Sequence, residues 1–219
     1  SAECDIIIGY KTYLDMIHHL IDRQQVIGSG MGREIERGLQ ALELAEAGSA
    51  VGVVSSGDPG VYGMAGVILE LAGKNNSSVE VRVLPGITAS SLAAAAIGAP
   101  LMHDYAVISL SDLLTPWEKI AQRLELCSQA DMVICLYNPR SQGRTDQLEW
   151  AWEIMSRHKR PDTPVGMVRN AGRLQQEVFI TELHSMLNLE PDMFCLIVVG
   201  NQSTYVKGRR MITPRGYVL

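Results

Sequence analysis

The stretch Val51–Gly66, VGVVSSGDPGVYGMAG, constrains the fold more than any other part of the chain. Val51 to Val54 read as a buried strand, Ser55–Gly60 breaks it with turn residues, and the apolar run Met64–Leu71 continues as a helix. A strand that ends in a glycine-rich turn and resumes as a helix is the repeating unit of an open α/β sheet, where ligands bind at the carboxyl ends of strands. Gly57, Gly60 and Gly63 let a ligand approach the main chain closely, and Asp58 places one carboxylate there. Glycine-rich turns also serve plain packing, so the corner alone leaves both readings open.

The flanking sequence repeats this pattern. Asp5–Gly9 reads as a strand, Tyr10–Leu20 as a helix, and Gln25–Ile27 as a second strand ending in the glycine run Gly28–Gly32. That run falls short of a dinucleotide fingerprint, because Arg33 stands where the third glycine belongs. Arg33–Ala47 is an amphipathic helix with Ile35, Leu39, Leu42 and Ala45 on its apolar stripe. Val79–Leu84 alternates as a strand and leads into a second glycine turn, Pro85–Ser91, capped by Thr88 or Ser90, and a helix rich in alanine to Ile97. Such a helix suits close packing on a sheet or a flat ligand. Tyr105–Leu110 is a strand, and Ser111–Pro116 reads as a linker. Beyond it come a helix (Trp117–Leu126), a strand (Asp131–Tyr137), a helix (Thr145–His158), strands at Thr163–Val168 and Phe194–Val199, and a polar C-terminal stretch that suits a tail or a hairpin. The expected architecture is two α/β domains, residues 1–111 and 112–219, with a cleft between them.

Charge separates the halves. Residues 1–110 carry 6 Lys or Arg against 12 Asp or Glu, whereas residues 111–219 carry 13 against 12. Arg140, Arg144, Arg169 and Arg173 lie near glycine or asparagine in loops and are candidates for a polyanionic substrate, or else a solvated surface. An acidic chain without a basic, aromatic-studded stripe argues against a nucleic-acid partner. No apolar run approaches the roughly 20 residues of a membrane span, and no leader peptide is expected. The four cysteines are scattered without a C-x-x-C pair, which fits reduced thiols, a cytoplasmic protein and no metal site.

The segments SSGDPGVYGMAG, LPGITASSLAAAA, HDYAVISLSDLLTPW, LYNPRSQGR, VRNAGR and IVVGNQST, in this order, resemble the tetrapyrrole methylases of cobalamin biosynthesis across essentially the whole chain. SLSDLLTPW and LYNPRSQGR resemble the branch that methylates carbon 17 as the macrocycle contracts. Members usually open with a further strand and a Gly-Pro-Gly-Asp loop ahead of the segment SAECDIIIGY. The resemblance implies the tetrapyrrole methylase fold (class III methyltransferase), a homodimer, S-adenosylmethionine folded in the interdomain cleft and a tetrapyrrole, precorrin-3B or its cobalt counterpart, beside it. Carried over by motif, the cofactor contacts are Gly57, Asp58, Val61, Tyr62, Thr88, Ala89, Tyr137, Asn138, Asn170, Ala171, Gly200 and Asn201. Methyl transfer to an electron-rich ring carbon needs positioning more than a base. Ring contraction requires a proton acceptor, for which His103 is the candidate, the alternative being a loop histidine bonded to Asp104. Asp58 is the carboxylate expected to contact cofactor or substrate.

Overall fold

The computed structural model describes residues 3–141, 143 and 145–218. The chain divides into two compact units, Ser1–Thr88 and Ala89–Leu219.

Unit 1 is built on β1 (Ile6–Tyr10), α1 (Lys11–Ile17), β2 (Gln25–Ser29), α2 (Glu34–Glu46), β3 (Val51–Val54) and α3 (Met64–Lys74). The strands form a parallel sheet of order β2-β1-β3. Ile6 and Ile8 alternate onto the face packed by Ala41 and Leu42 of α2 and Met64 and Ile68 of α3. The buried face of α2 is rotated from its expected stripe: Arg37, Gly38, Ala41 and Leu42 are buried, while Ile35 and Leu39 are exposed. Gly38 explains the rotation, since a Cβ there would lie 2.6 Å from Leu71 Cδ1, so α3 can approach only over a glycine. Arg37 is buried, with no carboxylate partner among the described residues; its Nε donates to Ser29 Oγ at 2.8 Å and its Nη2 to Gly30 O at 3.0 Å. The expected strand Val79–Leu84 is not one: no residue in it is strand-paired.

Unit 2 continues with α4 (Ala89–Ile97), β4 (Gly98–Ala99), β5 (Tyr105–Ser109), α5 (Trp117–Gln129), β6 (Val133–Tyr137), α6 (Gln147–Ser156), β7 (Pro164–Arg169), β8 (Glu177–Glu182), β9 (Cys195–Val199), β10 (Tyr205–Lys207) and β11 (Arg210–Ile212). The unit boundary falls before α4 rather than at residue 111, because β5 pairs with β6 and α4 packs on β7 and β9. The main sheet has the order β5-β6-β9-β7-β8. β5 and β6 are parallel; β9 runs antiparallel to both β6 and β7. Ile134, Leu136 and Ile197 enter a core with Ile120 and Leu124 of α5 and Met155 of α6. Their neighbours Val133, Cys135 and Val198 face Ala93 and Ile97 of α4 and Met211 of β11. With both faces covered, β6 and β9 read as continuous apolar runs. α4 lies close on the sheet: a Cβ on Gly166 would lie 2.6 Å from Ile97 Cδ1. Burial pushes the Cys135 thiol up to about 12, so it stays neutral. The C-terminal stretch forms the hairpin β10–β11, whose second strand pairs with β4.

Candidate active site

In unit 1 the corner after β3 is held by its own carboxylate. Asp58 Oδ1 accepts the Gly60 N–H at 2.8 Å and Oδ2 accepts the Gly86 N–H at 3.0 Å, so one side chain ties the two glycine turns together. The turns touch: a Cβ on Gly86 would sit 2.1 Å from Gly57 O, a distance no side chain tolerates. Gly63 is enclosed as well: a Cβ there would lie 2.7 Å from both Pro59 O and Ser55 Oγ. Val61 N–H donates to Asp58 O, which brings Tyr62 to a left-handed φ of 53° with its ring exposed. A bulky residue in that region is a marked outlier, and such strain concentrates at ligand sites. Asp58 is therefore a clamp on these turns, and both of its oxygens already accept backbone hydrogen bonds.

In unit 2 the carboxyl ends of β5, β6 and β7 lie along one edge of the sheet, because Ser109 pairs with Tyr137 and Arg169 with Cys195 at the start of β9. β6 and β7 each end in a left-handed asparagine, Asn138 and Asn170, both at φ 52°. Asn138 Nδ2 donates to Ser109 Oγ at 2.9 Å, and the Asn170 N–H donates to Phe194 O at 3.1 Å. The Tyr137 hydroxyl accepts the Ser90 N–H at 2.8 Å, fixing the first turn of α4 to this edge. Ser90 itself is buried, and its Oγ has no hydrogen-bond partner among the described residues. Ala89, Tyr137, Asn138, Asn170 and Ala171 are thus presented by strand ends or by the helix turn fixed to one of them.

Other expected site residues lie elsewhere. β9 runs against its neighbours, so Gly200 and Asn201 emerge at the opposite edge, beside the starts of β6 and β7. The Gly200 N–H donates to Pro164 O there, five to six residues, or about 17–20 Å, along the strands from the asparagines. Asn201 Oδ1 is engaged by Ser203 and Thr204, a turn-closing role. His103 precedes β5 and is at that same amino edge, where its Nδ1 accepts the Asp104 N–H at 2.9 Å. Arg169 is committed to the protein itself: Nη1 pairs with Glu177 and Nε lies 3.1 Å from Asp192, and the bond to Glu177 pushes its pKa up. The Arg173 guanidinium lies 5.9 Å from the Phe194 ring centroid, and Arg140 is exposed beyond Asn138. Arg144 lies outside the described residues, and Thr88 closes unit 1.

Two groups escaped the sequence reading. Asp112, just past β5, accepts from Gln147 Nε2 at 3.0 Å and brings a carboxylate to the carboxyl edge of unit 2; it stands inside the SLSDLLTPW segment, which was the available signal. Lys159 sits in the charged run RHKRPD, which reads as surface, yet its side chain is 1% exposed. Its Nζ donates to Met132 O at 2.8 Å and Gly200 O at 2.9 Å, and Asp131 lies 3.8 Å away. Burial lowers its pKa, and Asp131 opposes that shift.

Glycines and left-handed residues stand at strand ends in both units, and residues 2–187 match the family model of the Tetrapyrrole (Corrin/Porphyrin) Methylases. The chain belongs to this family and is a methyltransferase. It is 52% identical over 216 residues to the "Probable cobalt-factor III C(17)-methyltransferase" of Salmonella typhimurium, covering 98% of this chain and 89% of that protein. It is 50% identical over 219 residues to the "Cobalt-factor III methyltransferase" of Priestia megaterium, of whose length it spans 41%. The crystal structure of the methyltransferase CobJ superposes with a TM-score of 0.92 at 36% identity, covering 97% of this chain and 90% of that one.

Proposed function

We propose that the chain transfers a methyl group from S-adenosylmethionine to carbon 17 of a corrin precursor as the macrocycle contracts, acting as a cytoplasmic homodimer. The names of the Salmonella and Priestia relatives favour cobalt-factor III, the cobalt-containing substrate, over metal-free precorrin-3B. No helix among the described residues is long and apolar enough to cross a membrane.

The observation that carries the donor assignment is the buried, unpartnered Ser90 Oγ in the first turn of α4, next to the turn's N–H groups and the Tyr137 hydroxyl. S-adenosylmethionine carries a carboxylate, an ammonium and ribose hydroxyls, and a helix N-terminus with an idle hydroxyl suits its anionic end. When bound, the cofactor supplies a methyl group on a sulfonium, already activated for in-line displacement. The protein's task is orientation, which can contribute roughly 7–11 kcal/mol when reacting atoms are held in near-attack geometry. Ala89, Ser90, Tyr137, Asn138, Asn170 and Ala171 would hold the donor in unit 2. In unit 1, Gly57, Asp58, Val61 and Tyr62 form the corner carried over for the same ligand, with Asp58 shaping it through the backbone. We assign the proton lost on ring contraction to Asp112 in place of His103, since Asp112 is at the carboxyl edge and His103 is not. Arg140 is the exposed cation assigned to the substrate's carboxylates.

The test is calorimetry with S-adenosylhomocysteine on the wild type and on Ala171→Trp, followed by transfer of labelled methyl to cobalt-factor III and to precorrin-3B. Micromolar binding lost in the variant, with turnover of either substrate, supports the reading. Binding that survives Ala171→Trp sinks the donor site, and binding without methyl transfer to either acceptor makes the chain a carrier instead. Asp112→Asn should keep binding and lose the contracted product.

A further inference from the structure

The bond that brings Asp112 to the carboxyl edge of unit 2 has an unusual donor. Gln147 stands 35 residues further along the chain, at the first position of α6, and its Nε2 donates to Asp112 Oδ2 at 3.0 Å. Gln147 is 7% exposed, and Leu148 and Ala151 of the same helix are buried with it. Its Oε1 is buried too and has no hydrogen-bond partner among the described residues. Asp112 is only half-buried and is followed by the exposed Leu113 and Leu114. The carboxylate is thus open to a ligand, and the amide that holds it is not.

The idle oxygen does not result from the way the amide is turned. An ionised carboxylate only accepts hydrogen bonds, so Nε2 must face it and Oε1 must face away. A side chain that did no more than tie residues 111–116 to α6 could be a donor alone. A buried acceptor without a partner costs stability, and such a tie gives no reason to bear it. Both ends of the amide find a use once Asp112 changes state. On taking a proton the carboxyl gains an O–H donor, for which Nε2 is the wrong partner and Oε1 the right one. The terminal torsion of a glutamine is broad and roughly two-fold, so half a turn exchanges the two ends with little movement of the chain.

We propose that Gln147 is the positioning residue for proton transfer at Asp112: Nε2 aims the carboxylate, and Oε1 accepts from it once it is protonated. This role rests on the reading of Asp112 as the proton acceptor in ring contraction. The proton leaves the substrate, forms the O–H of Asp112 and passes to water before the next turnover. The amide neither gains nor loses a proton, and Gln147 touches no reacting atom.

The test measures contracted product per methyl transferred to cobalt-factor III in the wild type, Gln147→Met, Gln147→Glu and Asp112→Asn. Methionine keeps the length and removes donor and acceptor together. Glutamate keeps the shape and sets a second carboxylate beside the first, where the two hold one proton between them. Both variants should still bind S-adenosylhomocysteine and transfer methyl, while contracted product per methyl falls about 10-fold, the rate equivalent of one hydrogen bond to a charged group. A merely structural tie lowers methyl transfer and contraction together and leaves their ratio unchanged, which overturns the proposal. Loss of S-adenosylhomocysteine binding in both variants overturns it as well. If Asp112→Asn loses contraction and the Gln147 variants do not, the role of Gln147 alone fails. If Asp112→Asn keeps the wild-type ratio, or the wild type transfers no methyl, the reading of Asp112 fails and takes this role with it.

Discussion

The central sheets of the two units are built from similar sequence and finish differently. In unit 2, β6 and β9 have a strand on each side and packing on both faces, and Ile134–Leu136 and Leu196–Val199 are buried. In unit 1, VGVV of β3 is as apolar as those runs but, among the described residues, is flanked on one side only, and every residue stays half-buried. Apolar composition marks a strand as fit for the interior; neighbours on both edges put it there. The ligand corners differ in parallel. Unit 1 spends both oxygens of Asp58 on backbone N–H groups, whereas unit 2 leaves the Ser90 hydroxyl idle beside a helix N-terminus. Polar capacity left unused inside a fold is what a ligand can take up.

The contrast is broken most directly by truncation. Leu136→Ala, fully buried in unit 2, should cost about 2–5 kcal/mol, and Val53→Ala on the half-buried β3 about 1 kcal/mol, both read from urea denaturation. Equal costs would mean that β3 is already interior.

Lys159→Met comes next, at about 2–3 kcal/mol, because Met132 O and Gly200 O lose their donor inside unit 2. Its pH dependence has a definite sign. Burial sets the folded pKa of Lys159 below its ordinary 10.5, so between those values the unfolded chain holds the extra proton. Wild-type stability therefore rises with pH through the window just below 10.5, relative to a variant that cannot titrate there. The gap between the two should widen with pH and be flat below that window; a gap that narrows would show Lys159 favoured in its charged form.

Gly86→Ala tests how tightly unit 1 closes its corner. The added methyl meets Gly57 O, a backbone atom with nowhere to go, and the turns must separate at a cost of about 1–3 kcal/mol. A neutral outcome in thermal unfolding would mean that the two turns are not held together as described.

Much of this was legible because periodicity reports faces and turns report breaks. The apolar runs at residues 6–8, 133–136 and 195–199 appear as buried strands, and the glycine turn after Val54 appears as a turn between strand and helix. What escaped was whatever depends on a partner distant in sequence. Residues 79–84 have a strand's alternation, but pairing requires a neighbour that alternation cannot supply. The buried stripe of α2 turned toward Gly38 because α3 happens to cross there. Gly200 and Asn201 look like a third ligand corner in a chain of strand–turn units, and only the antiparallel direction of β9 moves them to the far edge. Lys159 is indistinguishable from a surface lysine until two carbonyls converge on it.

Tyr137→Phe gives the smallest expected effect and bears most closely on the donor corner. The variant keeps the ring and removes only the oxygen that accepts the Ser90 N–H, a bond contributing about 1 kcal/mol. If the hydroxyl does no more than tether α4, unfolding shifts by that amount and affinity for S-adenosylhomocysteine is unchanged. If it orients the first turn of α4 for the donor, affinity should also fall about 5-fold, the equivalent of the same free energy. The second outcome, with the loss abolished in a Ser90→Ala background, would tie the idle Ser90 hydroxyl and the tyrosine to one ligand; equal losses in both backgrounds would separate them.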